Sequence, residues 1–150
     1  MESLRVERQE KMSDEIMQVE RENTDALPWI TVACNTAAEK LALFAASQSP
    51  KMLKDYDGEV LNVTGWKVEA GSRLDRNTGE RTLCVNTTFF TSDGGCYFTQ
   101  SNGVARAMHD LRAYFPDGPR ELPGGVLKIK SVKQKTANNI EYRTIVPVFE

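Results

Sequence analysis

The residues after position 58 alternate in a way that those before it do not. Glu59–Glu69 (EVLNVTGWKVE) is rich in β-branched side chains and carries Trp66, which is a strand pattern. Ala70–Glu80 is polar and holds turn residues at Asn77-Thr78-Gly79, so a loop is expected there. Arg81–Ser92 (RTLCVNTTFFTS) reads as a second strand, Asp93-Gly94-Gly95 as a hairpin turn, and Cys96–Thr99 as the returning third strand. Ser101 then caps a helix whose Val104, Met108, Leu111 and Phe115 fall on one face. Pro116-Asp117-Gly118-Pro119 ends it. Val126–Lys135 and Glu141–Phe149 are two more strands joined by a turn at Thr136–Asn139, and Pro147 marks the last as an edge or a bulge.

Strand, strand, strand, helix, strand, strand is the order of an OB-fold barrel. The expected architecture is mainly β, with five antiparallel strands and a helix between strands 3 and 4. A length of 150 residues suits one such domain, expected over 28–150. A short helix at 35–47 leads it, with Thr36 or Asn35 as cap and Leu41, Phe44 and Ala45 as an apolar stripe. Residues 1–27 form an N-terminal acidic extension, flexible or helical. Residues 1–26 hold eight acidic side chains against four basic ones. Met12, Ile16 and Val19 leave two readings open: a solvated arm, or a helix that binds a partner or a second copy in a homo-oligomer.

A chain 40% hydrophobic and 27% charged is not wholly disordered. It has no run of about 18 apolar residues, so no membrane partner is expected. The acidic first residues lack an apolar signal core, so a cytoplasmic location is expected. Cys34, Cys84 and Cys96 form no CxxC pair, and His109 is the single histidine, so neither a zinc site nor any other cofactor is expected. Catalytic signatures are absent: no phosphate-cradling Walker loop, no GxSxG, no HExxH. Asp55, Asp57 and Glu59 offer a nuclease-like acidic cluster as the one enzymatic reading, against the plainer one of a solvated loop.

The net charge of −2 averages two regions of opposite sign. Residues 126–143 carry Lys128, Lys130, Lys133, Lys135 and Arg143 against Glu141 alone. Alternation puts Lys128 and Lys130 on the face opposite Leu127 and Ile129. Lys133 and Lys135 have the other parity, so a bulge near Ser131-Val132 is needed to align all four. Arg73 and Arg76 add charge in the first loop. Aromatic residues interleave with these cations. Phe89 and Phe90 must point to opposite faces, as must Tyr97 and Phe98, leaving one of each pair for the surface. Cations that track phosphates and rings that stack on bases are the two requirements of single-strand binding. The expected stacking rings are Trp66, Phe89, Tyr97 and Tyr142. The expected phosphate contacts are Arg73, Arg76, Lys128, Lys130, Lys133, Lys135 and Arg143.

Five segments in this order carry a resemblance: Gly58-Glu59-Val60, Asn77-Thr78-Gly79-Glu80, Thr91–Tyr97 (TSDGGCY), Ser101–Leu111 (SNGVARAMHDL) and Leu127–Thr136 (LKIKSVKQKT). From about Leu53 onward the chain resembles the small single-stranded-DNA-binding proteins of double-stranded-DNA bacteriophages. The resemblance implies an OB-fold and a non-enzymatic, sequence-independent coating of single strands in phage DNA replication or recombination, in the host cell cytoplasm. It also implies that Tyr97 and the Lys128–Lys135 strand face DNA. Related sequences tend to place lysine where this chain has Asn102. The acidic arm 1–26 is then the expected contact for replication proteins. The alternative is an OB-fold protein–protein interaction module of a replisome or virion, since the fold alone does not decide function.

Overall fold

Fourteen residues, Leu61–Leu74, form the strand around which the sheet is built. The computed structural model describes residues 27–32 and 36–149. The arm 1–26 and Cys34 lie outside these. In chain order the elements are β1 (Trp29–Ile30), α1 (Ala37–Gln48), β2 (Lys51–Met52), β3 (Leu61–Leu74), β4 (Arg81–Thr91), β5 (Cys96–Thr99), α2 (Asn102–Tyr114), β6 (Leu127–Lys135) and β7 (Glu141–Pro147). A 3-10 turn, Leu53–Tyr56, leads into β3, and two more at Pro119–Glu121 and Pro123–Gly125 bridge α2 to β6.

The strands run β2-β5-β4-β3-β6-β7 across one curled sheet, with β1 added against β3. The five long strands and the helix between β5 and β6 follow the expected order. Two features differ from five antiparallel strands. The described residues form seven strands, and β2 pairs with β5 in parallel, Lys51 opposite Tyr97. No ladder joins β5 to β7 among the described residues, so the sheet is a half-barrel whose gap is filled by α2.

Alternation in β3 explains what the sheet encloses. Leu61 and Val63 face inward, and a register shift between Val63 and Gly65 resets the parity, so Trp66 and Val68 face inward too. Lys67 and Glu69 point out, 3.4 Å apart. Phe89 sits opposite both Trp66 and Tyr97, and with Ile129, Val104 and Met108 these side chains make one core. Leu53 is fully buried, which fixes the turn before β3 under that core. Thr36 caps α1 by accepting from Glu39 N at 3.1 Å, and no residue of α1 is buried.

The first turn of α2 closes the gap beside β7. Ser101 Oγ accepts from Val104 N at 3.3 Å and donates to Arg143 O at 3.0 Å, so one hydroxyl caps the helix and binds the strand. Gly103 makes this approach possible, because a Cβ there would collide with Arg143 O. Alanine favours a helix over glycine by about 1 kcal/mol. Overpacking costs about 1–3 kcal/mol, and here the obstacle is backbone, which no rotamer change relieves. Gly103→Ala is therefore expected to destabilise by about 1–2 kcal/mol, lowering Tm by roughly 5 °C. A thermal melt followed by circular dichroism reads the sign; a higher Tm would show that α2 does not press on β7.

Candidate nucleic-acid interface

Beyond the core, β3 and β4 continue as an exposed hairpin. Its turn is held by Asp75 N donating to Glu80 O at 2.8 Å, and by Asn77 N donating to Asp75 Oδ1 at 2.8 Å. Arg73, exposed on the outer face, donates from Nη2 to Gln100 O at 2.7 Å. Gln100 Nε2 donates to Asn86 Oδ1 at 3.0 Å and to Ser72 O at 3.3 Å. Arg81 Nη1 reaches Ser72 Oγ at 3.1 Å. Arg76 stands exposed in the turn.

A second hairpin, β6–β7, pairs in unbroken register from Ile129↔Pro147 to Lys135↔Glu141. The bulge near Ser131-Val132 that aligning all four lysines would need is absent from this pairing. Lys128 and Lys130 consequently share one face with Val132 and Gln134, while Lys133 and Lys135 keep the opposite parity. The four lysines do not form one row. Lys128 and Lys130 are half-buried, and Lys133 Nζ lies 3.4 Å from Glu141 Oε1. Tyr142, opposite Gln134, is 38% exposed and donates its hydroxyl to Gln134 Oε1 at 2.8 Å. Its Cδ2 is 3.2 Å from where a Cβ on Gly103 would stand.

The two hairpins meet at the β5–α2 junction, Gln100–Gly103. Arg73 arrives from one side and Tyr142 from the other. The floor between them is polar, and the α2 N-terminus adds the positive end of a helix dipole. A depression of about 280 Å3 opens there, lined by Arg73, Asp75, Thr82, Leu83, Cys84 and Asn102. Burial pushes the Cys84 thiol up from its usual range, against the opposing pull of Arg73.

Several residues expected at a surface lie elsewhere. Trp66 and Phe89 are both 0% exposed, so no base stacks on either in this fold. The sequence held the signal for Trp66: Lys67 and Glu69 take the outward parity of β3. Tyr97 is 6% exposed, edge-on to Tyr56 at 5.0 Å, with Lys51 Nζ 5.5 Å from its ring centre. Phe90 has the outward parity, yet it too is buried. Gly65, its partner across the ladder, leaves room for Val32, whose Cγ1 would stand 2.7 Å from a Cβ at that position. Phe98 is half-buried. Of the four expected stacking rings, Tyr142 alone is open to solvent.

Arg143 is committed inside the protein. Its Nε donates to Asp57 Oδ1 at 3.0 Å and its Nη2 to Asp57 Oδ2 at 2.8 Å. In the acidic cluster of Asp55, Asp57 and Glu59, Asp57 is turned to Arg143 and Ser131. No group of three metal-ligating side chains occurs among the described residues. No helix among them is long and apolar enough to cross a membrane. Sequence reasoning missed Gln100, Asn86 and Asp75 at the junction, since nothing local distinguishes a hydrogen-bonded amide floor from an ordinary polar strand end.

Comparisons with curated proteins and with solved structures give no match. The family model described as phage single-stranded DNA-binding protein, of the phi29 type, matches residues 22–146. That span takes in β1 to β6 whole, β7 as far as Val146, and the junction between the two hairpins. The chain belongs to the phi29-type family of phage single-stranded DNA-binding proteins.

Proposed function

We propose that this protein binds single-stranded DNA without a fixed target sequence, as a non-enzymatic coating protein in phage DNA replication or recombination. Its domain is read as an OB-fold over 28–150, preceded by the acidic arm. The order β5-β4-β3-β6-β7 with α2 between β5 and β6 supports that reading. The observation that carries the function is the convergence of two basic hairpins on the β5–α2 junction. In an OB-fold the matching loops bracket the strand that is bound.

The roles follow from position. Tyr142 offers its ring to a base. Arg73, Arg76 and Arg81 on one hairpin, with Lys130 and Lys135 on the other, meet phosphates. Lys133 joins them once its exposed pair with Glu141 yields, and such a pair is held by only about 0–1 kcal/mol. Trp66 and Phe89 support the sheet from below. Cytoplasmic action and contacts of residues 1–26 with replication proteins, or between copies of the chain, complete the proposal.

Fluorescence anisotropy of labelled oligo-dT tests it. Five phosphate contacts predict an affinity that falls about 100-fold between roughly 50 and 200 mM salt, and further where Lys133 joins them. Tyr142→Ala is expected to cost about 1–3 kcal/mol of binding, roughly 5- to 150-fold, with the salt slope unchanged. Binding that ignores salt, or no binding at low salt, would reject the reading. Both tryptophans are buried, Trp66 fully and Trp29 at 6% exposure, so a label reports this equilibrium better than intrinsic fluorescence.

A further inference from the structure

We propose that the depression between the β3–β4 hairpin and the start of α2 takes a single nucleobase, and that Asp75 makes it prefer guanine over thymine. The inference rests on the single-strand-binding reading above and adds a base preference to it. Its starting point is a misfit. A surface that meets phosphates with arginines gains nothing from a carboxylate, yet Asp75 lines the depression beside Arg73. An anion placed there repels the backbone it is supposed to help bind. What a carboxylate serves well is a base edge that presents N–H groups.

Size and lining fit one flat heterocycle. The volume of about 280 Å3 falls just under the range of about 300–1,000 Å3 that holds drug-sized ligands. Leu83 and Cys84 give the wall an apolar part. The Arg73 guanidinium, held by Gln100 O at 2.7 Å, is fixed in place and offers a planar cation for stacking. Asn102 adds an amide. Asp75 uses Oδ1 to hold the turn through Asn77 N, and Oδ2 has no partner among the described residues.

The chemistry then sorts the bases. An ionised carboxylate only accepts hydrogen bonds. Guanine presents N1–H and N2–H side by side, two donors that match one carboxylate. Cytosine and adenine each offer one amino group. Thymine offers N3–H alone, between two carbonyl oxygens that the carboxylate repels. Single strands leave these edges free to be read. A good paired contact discriminates by about 5- to 150-fold, and the half-open site places the effect at the low end, about five- to tenfold.

The test compares oligo-dT with the same length of oligo-dT bearing isolated guanines, by anisotropy at fixed salt. The wild-type chain is expected to bind the guanine-bearing strand about five- to tenfold more tightly. Asp75→Asn retains an acceptor for Asn77 N, so the turn is preserved, and removes the charge. It is expected to bring the ratio near one. If Asp75 acts only as a general repulsive charge, Asp75→Asn tightens both strands equally and the ratio stays, which overturns the proposal. Equal wild-type affinities also overturn it while leaving single-strand binding intact. Failure to bind either strand would instead reject the reading on which it rests.

Discussion

Trp66→Ala is expected to cost about 3–5 kcal/mol of folding free energy, the usual range for emptying a buried tryptophan site. Domains of this size are stable by about 5–15 kcal/mol, so much of the margin disappears. The side chain is 0% exposed and meets Trp29 edge-on, with ring centres 5.2 Å apart. It is in register with Phe89 across the ladder, in the middle of the core. The cavity would open where β1, β3 and β4 all pack. Trp66→Phe is the informative control. The indole Nε1 has no hydrogen-bond partner among the described residues, so phenylalanine removes an unpaired polar group while keeping most of the apolar bulk. Urea unfolding should show a loss of about 1.5 kcal/mol or less for that change. DNA affinity of Trp66→Phe should equal that of the wild type. A large loss of affinity with stability retained would mean that Trp66 meets DNA, and that the inward parity of β3 is wrong.

That parity shows how far the sequence reaches. The periods of β4, β5, α2, β6 and β7 are local, and their limits follow from residues within a few positions. β1 and β2 are two residues each and have no period to read; they exist because β3 and β5 offer them an edge. The far half of β3 was hidden for a similar reason. Ala70-Gly71-Ser72-Arg73-Leu74 has poor strand propensity, and it is extended because β4 pairs with it through Leu74↔Arg81. For the site, alternation divides side chains into two sets without saying which set is covered. Phe90 was therefore not legible: Val32, which packs over its ladder partner Gly65, lies 58 positions away in the chain. The four lysines would share a face only with a bulge near Ser131-Val132, and the regular pairing of β6 with β7 has none. The junction of the two hairpins is a tertiary fact, since Arg73 and Tyr142 are brought together only when the sheet curls.

The same distance in sequence hides the clasp of Asp57 and Arg143, and Asp57→Ala is the second large effect expected. The carboxylate takes two hydrogen bonds from Arg143 and one from Ser131 Oγ at 2.7 Å. Gly58 N donates to Ser131 O at 2.8 Å beside it. These contacts tie the turn before β3 to the outer hairpin, which β3 itself holds by only three residue pairs, Leu61–Val63 with Leu127–Ile129. The two side chains are 19% and 26% exposed, between a surface pair worth about 0–1 kcal/mol and a buried one whose rupture costs about 3–5. Ser131 is fully buried and its hydroxyl would lose its acceptor, a further cost of about 1–3 kcal/mol. A loss of about 2–3 kcal/mol is expected for Asp57→Ala, and a smaller one for Asp57→Asn. The hydrogen bonds from Arg143 are the main cause that holds the Asp57 carboxyl below its ordinary range. Its stabilisation is therefore complete above the unfolded carboxylate value of about 3.9 and is lost as pH falls through the lower folded value. Melts of wild type and Asp57→Asn should differ by a constant amount from about pH 5 to 8, and the gap should close in stronger acid. A gap that persists after the carboxylate is protonated would assign the effect to shape, with charge contributing nothing. DNA affinity gives the other reading of the clasp. If Arg143 is structural, Arg143→Gln weakens the fold and leaves the salt slope of DNA binding unchanged, whereas a lost phosphate contact would lower that slope by about 0.7.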